Sequence, residues 1–353
     1  MEGKNIVKPY NVGIIGNCCT HGMGICNMLN QRKDTNVVAA YEKNPKRAEE
    51  LQSVLNQQLS SSYQEVMDSP DLDFVAITCD PCDKADMVEQ ATVRGLHILL
   101  NKPLCDNLEN AHRIMTAVKT NGVCFVYDIP MVRLIPVFAT LMDQVGTEQY
   151  GKIMGYYHLF AMNFPMDFDL KSIWPERLDP PEKSGGGEMT NMGCYAIDYV
   201  VSLFGKPTNI IAKWRKNWDI YREENVENFG QIVLDYDDFY ALLDVGKQRL
   251  EKKHGHSNLI TINFEHQTVT IDANAQVVII NHLVQDYGEF IQDVIVTGSV
   301  EQLIGAIEHD KYPTSSIENA VAATEILMAA YQSIVEKRLI TLPLTSGKNP
   351  LVS

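Results

Sequence analysis

Short apolar runs alternate with amphipathic stretches through the first third of the chain. Residues 10–16 (YNVGIIG), 36–42 (NVVAAYE), 73–78 (DFVAIT), 97–100 (HILL) and 123–127 (VCFVY) have strand length and β-rich composition. Between them, residues 22–33, 45–57, 83–94 and 107–120 read as helices, the second opened by Asn44-Pro45. Strands alternating with helices predict right-handed βαβ units, hence an α/β, doubly wound parallel sheet covered on both faces. After residue 128 the rhythm changes. A helix is predicted over 131–145, followed by strands at 152–160, 209–215, 230–235, 239–245, 259–264, 268–271 and 277–280. Few helices separate them, which predicts an α+β domain with a large open, mainly antiparallel sheet. Helices near 187–204 and 131–145 would cover one face, and another subunit is expected on the other. The last helix, 316–337, carries Ile317, Ala320, Val321, Thr324, Leu327, Tyr331 and Ile334 on one core-facing stripe. The predicted division is residues 1–128 and 129–353.

Composition narrows the function classes. The 353 residues exceed one simple core, and 45% hydrophobic with 21% charged residues is ordinary for a globular protein. No run of eighteen apolar residues suggests a membrane span, and the start MEGKNIVKPYN lacks an export signal, so a cytoplasmic location is expected. A net charge of −15 argues against nucleic acid as a partner. His254-Gly-His256 is the only tight histidine pair, and Lys252 and Lys253 beside it suggest a solvated loop, so no metal site is expected. The eight cysteines should be reduced thiols. Cys18, Cys19, Cys79, Cys82 and Cys105 all fall near the carboxyl edge of the predicted parallel sheet. Small apolar packing is the ordinary role of such residues; a redox-sensing or soft-metal thiol cluster is the alternative.

Three segments carry candidate chemistry. In Ser184–Asp198 (SGGGEMTNMGCYAID), three glycines lead into a predicted helix with Asn191, Tyr195 and Asp198 at i, i+4 and i+7, on one face. In Asn101-Lys102-Pro103, a lysine follows the apolar run 96–100 and is backed by a proline. Lysine and tyrosine can move a proton to or from a sugar hydroxyl, because an ammonium lowers the pKa of a nearby phenol from about 10. Lys102 could tune Tyr195 or act as the acid/base itself, and its charge would stabilise an alkoxide. Asn191 can orient a hydroxyl but cannot take up a proton. Asp198 either orients Tyr195 or the substrate, or makes a helix-internal hydrogen bond. The third segment is the turn Gly16-Asn17-Cys18-Cys19-Thr20-His21-Gly22-Met23-Gly24. A dinucleotide turn wants G-x-G-x-x-G, so its first glycine is present and its second is Cys18. Its third is either His21, or Gly22 with one residue inserted. Glu42 ends the second strand, where a carboxylate accepts ribose hydroxyls and repels a 2′-phosphate, favouring NAD over NADP. Lys43 beside it blunts that preference.

With these residues in view, the chain resembles the glucose–fructose oxidoreductase / inositol dehydrogenase / MocA (Gfo/Idh/MocA) family over nearly its whole length. The resemblance rests on GIIG at 13–16, Glu42-Lys-Asn-Pro45, Lys102-Pro103, Gly151-Lys-Ile153 and the glycines at 185–187. Ala329-Ala-Tyr331-Gln-Ser333 and Ile340-Thr-Leu-Pro343 look like the family's closing helix and strand. It implies an N-terminal Rossmann domain binding NAD(P), a C-terminal α+β domain, and a sugar, polyol or related alcohol bound between them. It places the family's lysine at Lys102 and its histidine or tyrosine at Tyr195. The family's aspartate falls on Asn191, its glutamate on Asn101, and its threonine-proline-asparagine turn on Thr78-Cys79-Asp80, three departures. The implied cofactor contacts are Gly16, Asn17, Cys18, Cys19, Thr20, His21, Glu42, Lys43, Thr78, Cys79, Asp80, Asn101 and Lys102. Arg133 and His158 are expected where the domains meet. Trp174 and Arg177 lie in a loop where an aromatic could stack on a pyranose ring. The leading expectation is an NAD-dependent sugar or polyol dehydrogenase, a homodimer or homotetramer. The alternatives are a glycoside-cleaving enzyme using NAD transiently, by C3 oxidation and elimination, and a non-catalytic binding protein on the same scaffold.

Overall fold

The computed structural model describes residues 9–129, 149–165, 179–249, 255–285, 294–309 and 317–352. The predicted helix 131–145 and the candidates Arg133, Trp174 and Arg177 lie outside them. The chain forms two compact units, residues 1–104, 112–128 and 296–317, and residues 105–111, 129–295 and 318–353. Two segments thus sit across the sequence division: 105–111 belongs to the second unit, and 296–317 returns to the first.

The first unit contains β1 (Tyr10–Ile15), α1 (Thr20–Gln31), β2 (Thr35–Tyr41), α2 (Pro45–Leu55), the short α3 (Tyr63–Met67), β3 (Phe74–Ile77), α4 (Lys84–Val93), β4 (His97–Asn101) and β5 (Phe125–Asp128). Helix α5 (Leu108–Asn121) joins β4 to β5. The five strands are parallel, in the order β2-β1-β3-β4-β5. Every residue of β3 and β5 is buried, which is why these strands read as continuous apolar runs. Asn44 caps α2 by accepting from the amides of Lys46 and Arg47, and Pro45 supplies the preset first turn. Val12, Ile14, Ile25, Leu29, Leu51 and Phe74 form the core with Val300 and Leu303 from a helix far along the chain. The sequence reading misses that helix because its β-branched start, Val294-Ile-Val-Thr297, favours a strand. Val300, Leu303, Ile304 and Ile307 nevertheless make a helical stripe against the core.

The second unit contains β6 (Ile153–Phe164), α6 (Pro181–Ser184), α7 (Glu188–Asn191), α8 (Gly193–Phe204), β7 (Asn209–Arg215), α9 (Asp219–Glu223), β8 (Phe229–Asp235), β9 (Tyr240–Arg249) and β10 (Gly255–Phe264). It continues through β11 (Thr268–Asp272), β12 (Val277–Ile280) and β13 (Leu283–Gln285). The helix shared with the first unit is α10 (Val294–His309), followed by α11 (Ile317–Glu336) and β14 (Ile340–Thr341). The nine-stranded sheet runs β13-β12-β11-β10-β6-β9-β8-β7-β14. It is antiparallel except where β6 pairs with β9. Ile210, Ala212, Ile232, Leu234, Ala241 and Leu243 are buried at alternate positions, while Ile211, Lys213 and Gln231 face outward. Helix α8 packs on β6 and β9. Helix α11 is tied to β7 by Ser333, whose hydroxyl accepts from the Ala212 amide at 3.1 Å.

Candidate active site

The glycine turn after β1 is built by close approach. Gly16 has φ +91°, and a Cβ there would come within 2.5 Å of the Cys79 backbone nitrogen. The Thr78 hydroxyl donates to the Gly16 carbonyl, and the Cys18 amide donates to the Thr78 carbonyl at 2.9 Å. Gly22, not His21, supplies the tight helix–strand contact, since a Cβ there would sit 3.1 Å from Thr78 Cβ. Thr20 opens α1, and Cys19 caps it, its sulfur accepting from the Gly22 amide at 3.4 Å. His21 Nε2 lies 3.2 Å from Asp128 Oδ2 at the end of β5, close but off hydrogen-bond geometry.

Glu42 is buried against this turn. Its carboxylate accepts from the Asn17 amide at 2.6 Å and the Asn44 amide at 2.7 Å, with the Arg47 guanidinium 3.3 Å away. Arg47 also grips Asp80 through two bonds, at 2.8 and 3.2 Å. Lys43 pairs with Asp80 at 3.1 Å and with Asp83. The two cations beside the candidate cofactor residues are therefore engaged by protein carboxylates.

At the end of β4, Asn101 is fully buried and Lys102 is buried next to it. The Lys102 amide donates to the Asp128 carbonyl at 3.2 Å, and the Lys102–Pro103 bond is cis. Lys84, the first residue of α4, is itself fully buried, and its ammonium donates to the carbonyls of both Asn101 and Pro103. The residues on either side of Lys102 are thus held by one buried cation.

In the second unit the three glycines are set by packing. A Cβ on Gly185 would lie 2.8 Å from Asp106 Cα, and one on Gly186 would collide with the Tyr331 hydroxyl. Glu227, fully buried, accepts from the amides of Gly187 at 3.2 Å and Met189 at 2.8 Å, and from the Tyr331 hydroxyl at 2.8 Å. Burial pushes its carboxyl up to about 7. The predicted continuous helix is two pieces, α7 and α8, separated at Met192. The shared helical face expected of Asn191, Tyr195 and Asp198 is thereby interrupted, with Asn191 ending α7. The Asn191 side-chain Nδ2 donates to the Glu188 carboxylate at 2.8 Å. Glu188 is buried and also takes Lys247 at 2.8 Å and the Tyr221 hydroxyl at 2.8 Å. Burial would raise its pKa, but Lys247, Asn191 and Tyr221 together bring it below the ordinary glutamate value. Tyr195 is half-buried, with its ring tilted against Phe160 at 5.2 Å, and Asp198 is buried.

Residues 10–128 match GFO_IDH_MocA, the oxidoreductase family with an NAD-binding Rossmann fold, and residues 138–270 match the GFO/IDH/MocA C-terminal domain. The chain belongs to the Gfo/Idh/MocA family. Among curated Gfo/Idh/MocA relatives, it is 25% identical over 228 residues to D-xylose 1-dehydrogenase (NADP(+)) 2 of Haloferax volcanii, covering 64% of this chain and 65% of that protein. It is 25% identical over 215 residues to scyllo-inositol 2-dehydrogenase (NADP(+)) IolU of Bacillus subtilis, covering 60% and 62%. The matches thus span less than two thirds of these relatives. The fold is shared with GenD2 from gentamicin A biosynthesis, solved in complex with NAD: TM-score 0.78 and 17% identity, covering 98% of this chain and 99% of that one.

The first unit fits the family's dinucleotide. Asn17 Oδ1 and Asn101 Oδ1 are buried at strand carboxyl ends without a hydrogen-bond partner. Such acceptors call for donors like ribose hydroxyls or a carboxamide. The start of α1 presents amides suited to a pyrophosphate. Asn17, Cys18, Cys19, Thr78 and Asn101 converge here, with Asn101 Nδ2 donating to the Cys19 sulfur at 3.4 Å. None of the eight cysteines is in a disulfide. A bond to Cys19 and burial push the Cys18 thiol well up, and burial does the same to Cys79, so both are neutral and weakly reactive. Among the described residues no group of three or more His, Cys, Asp or Glu is placed to hold a metal ion. No described helix is long and apolar enough to cross a membrane.

His158 corrects the expectation of a substrate contact. It is fully buried, its Nε2 bonded to Asn258 at 2.9 Å and its Nδ1 to the Tyr156 hydroxyl at 3.1 Å. Tyr156, Phe160 and Tyr199 surround the ring, and burial pushes its pKa down to about 4. Both nitrogens are occupied, so the ring belongs to the core. Sequence reasoning missed Arg47, Lys84, Glu188, Glu227 and Lys247, all buried. A lone charged residue within a helix or strand carries no sign of burial in its own sequence.

Proposed function

We propose that the protein is an NAD-dependent oxidoreductase acting on the CH–OH group of a sugar, polyol or sugar derivative. The observation carrying this reading is the buried lysine at the carboxyl end of β4, with its neighbouring carbonyls clamped by Lys84. That edge of a parallel sheet is where ligands bind, and a clamped backbone fixes the point from which the ammonium acts. Family membership and the dehydrogenase names of the two curated relatives support the reaction class.

When bound, NAD supplies a hydride acceptor. Lys102 stabilises the alkoxide that forms as the carbinol carbon is oxidised, and Tyr195 moves the hydroxyl proton. Asn191, its amide held by Glu188, orients a substrate hydroxyl through its side-chain oxygen. Asp198 supports Tyr195 from the next turn of α8. The preference for NAD rests on Glu42 and Asp80, whose neighbouring cations Lys43 and Arg47 are already paired. Both curated relatives carry NADP(+) in their names, so this preference is a sharp test of the chain's own residues.

The test begins with fluorescence titration of NADH and NADPH, followed by a screen of sugars, polyols and glycosides. Tighter NADH binding and net NADH formation with an alcohol are expected. Lys102→Ala and Tyr195→Phe should each lower turnover by roughly 10²-fold or more while leaving NADH affinity unchanged. Tighter NADPH binding would overturn the cofactor assignment, glycoside cleavage without net NADH would overturn the dehydrogenase reading, and unchanged turnover in both variants would overturn the acid/base pair.

A further inference from the structure

Three side chains of the first unit stand in line beside the glycine turn: Ser299 of α10, Asp128 at the end of β5, and His21 in the first turn of α1. Ser299 is 1% exposed and Asp128 is fully buried, whereas the His21 side chain keeps 20% of its surface in solvent. The Ser299 hydroxyl donates to Asp128 Oδ1. Asp128 Oδ2 is sealed from solvent without a hydrogen-bond partner, and so is His21 Nε2, 3.2 Å away. No other described carboxylate pairs with this ring. A small rotation of the imidazole aligns the two atoms and satisfies both.

That alignment decides which ring nitrogen carries the hydrogen. A carboxylate only accepts, so the Nε2 facing it is the protonated one, and in the neutral ring Nδ1 becomes an acceptor. Nδ1 makes no hydrogen bond among the described residues and, unlike Nε2, is open to solvent. His21 is the second residue of α1, at the sheet edge where Asn17 and Asn101 keep unpartnered oxygens. Asn101 is the neighbour of Asp128 across β4 and β5. Gly22 makes the close contact with Thr78, so the His21 side chain is not spent on packing α1 against β3. A carboxylate behind an imidazole is a general device for fixing the ring's orientation and tautomer.

We propose that Asp128, backed by Ser299, is a positioning residue that fixes the tautomer of His21, and that His21 Nδ1 accepts a hydrogen bond from the bound dinucleotide. The inference rests on the cofactor half of the reading above and not on its acid/base pair. Ionised phosphates only accept, so the matching donor is a ribose hydroxyl or the nicotinamide carboxamide.

The experiment is calorimetric titration of the full chain with NAD and with its 3-acetylpyridine analogue, which keeps both riboses but lacks the amide donor. His21→Ala should weaken NAD by roughly threefold to tenfold, the loss of one neutral hydrogen bond. An equal loss for the analogue assigns the donor to a ribose, and a loss confined to NAD assigns it to the carboxamide. Asp128→Ala should weaken NAD in the wild-type background and cause no further loss in His21→Ala, because it acts through that ring. A merely structural aspartate would add its own loss in both. If Asp128→Ala unfolds, long-range nitrogen NMR of the wild type labelled with ¹⁵N-histidine still decides. In mildly alkaline buffer the His21 signal, found by its absence from His21→Ala, should be that of the Nε2–H tautomer. Full NAD affinity in His21→Ala, an Nδ1–H tautomer in the wild type, or additive losses in the double variant would each overturn the proposal. NAD binding with the expected pattern but without alcohol oxidation would sink the dehydrogenase reading alone, and no binding of NAD would sink both.

Discussion

Glu42 in the first unit and Glu227 in the second do the same mechanical work. Each buries its carboxylate and takes two backbone amides: Asn17 and Asn44 for Glu42, Gly187 and Met189 for Glu227. Each fixes a glycine segment that leads into a helix. The electrostatics differ. Glu42 has the Arg47 guanidinium at 3.3 Å, and Arg47 carries on to Asp80. Glu227 has the neutral Tyr331 hydroxyl instead, and the nearby Glu188 raises its pKa further, while Lys247 is spent on Glu188. Amide donors are enough to place a carboxylate. Whether the place then depends on pH is decided by the counter-charge.

Breaking the first arrangement should have the largest effect. Arg47→Met leaves Glu42 and Asp80 buried without their guanidinium, and removing one partner of a buried ionic network costs about 3–5 kcal/mol. Urea unfolding followed by far-UV circular dichroism measures it. A loss below about 1 kcal/mol would mean that amides alone hold Glu42, and the contrast with Glu227 would collapse.

The second arrangement should reveal itself through pH. Glu227 is raised from the ordinary 4.5 to about 7, so the folded state binds the extra proton in that window. Its stabilising contribution is complete below pH 4.5 and is lost as pH rises through 7, about 3 kcal/mol in all. His158 has the opposite sign. Its pKa falls from 6.5 to about 4, so its contribution is complete above pH 6.5 and is lost as pH falls through 4. In the wild type the two trends oppose each other where they overlap. Glu227→Gln should remove the alkaline loss and expose the acid loss, read as thermal midpoints from pH 4 to 8. An unchanged profile in the variant would show that Glu227 does not titrate in the fold.

These buried charges mark the limit of what the sequence discloses. The parallel strands were legible because burial on both faces leaves uninterrupted apolar runs, as in Phe74–Ile77. The sheet of the second unit was legible through its alternation. Lys102 and the glycines stood out as candidates because of their neighbours, the apolar run before Lys102 and the helix start after the glycines. Arg47 and Lys84 could not be placed as buried, because their partners lie 33 and 17 residues away and a single lysine or arginine in a helix reads as solvated. The break at Met192 was equally hidden, since the i, i+4, i+7 spacing of Asn191, Tyr195 and Asp198 suits one continuous helix. The structure interrupts it just after the Glu188 amide is drawn to the Glu227 carbonyl and the Met189 amide to the Glu227 carboxylate, both from a distant segment.

Glycine substitutions sharpen the same comparison at smaller scale. At Gly187 a Cβ would collide with the Glu227 carbonyl and lie 2.8 Å from its side-chain carboxyl carbon. Gly187→Ala should therefore destabilise the second unit by about 1–3 kcal/mol, the range for overpacking. Tryptophan fluorescence during urea unfolding measures this, since Trp214 and Trp218 belong to that unit.

The smallest expected effect has the opposite sign. Gly24 lies inside α1, exposed, and a Cβ there would meet nothing within 4 Å. Gly24→Ala should stabilise the first unit by about 0.5–1 kcal/mol, because alanine loses less backbone freedom on entering a helix. Gly22, two residues earlier, has no such room, as its Cβ would press on Thr78. NADH titration adds a second reading of the pair. If Gly22 is the motif's third glycine, Gly24→Ala leaves affinity intact while Gly22→Ala lowers it by displacing α1 from β3. Equal losses in both variants would mean that the dinucleotide needs the space at residue 24 as well, and that the glycine motif extends one step further into the helix than the contacts around Thr78 indicate.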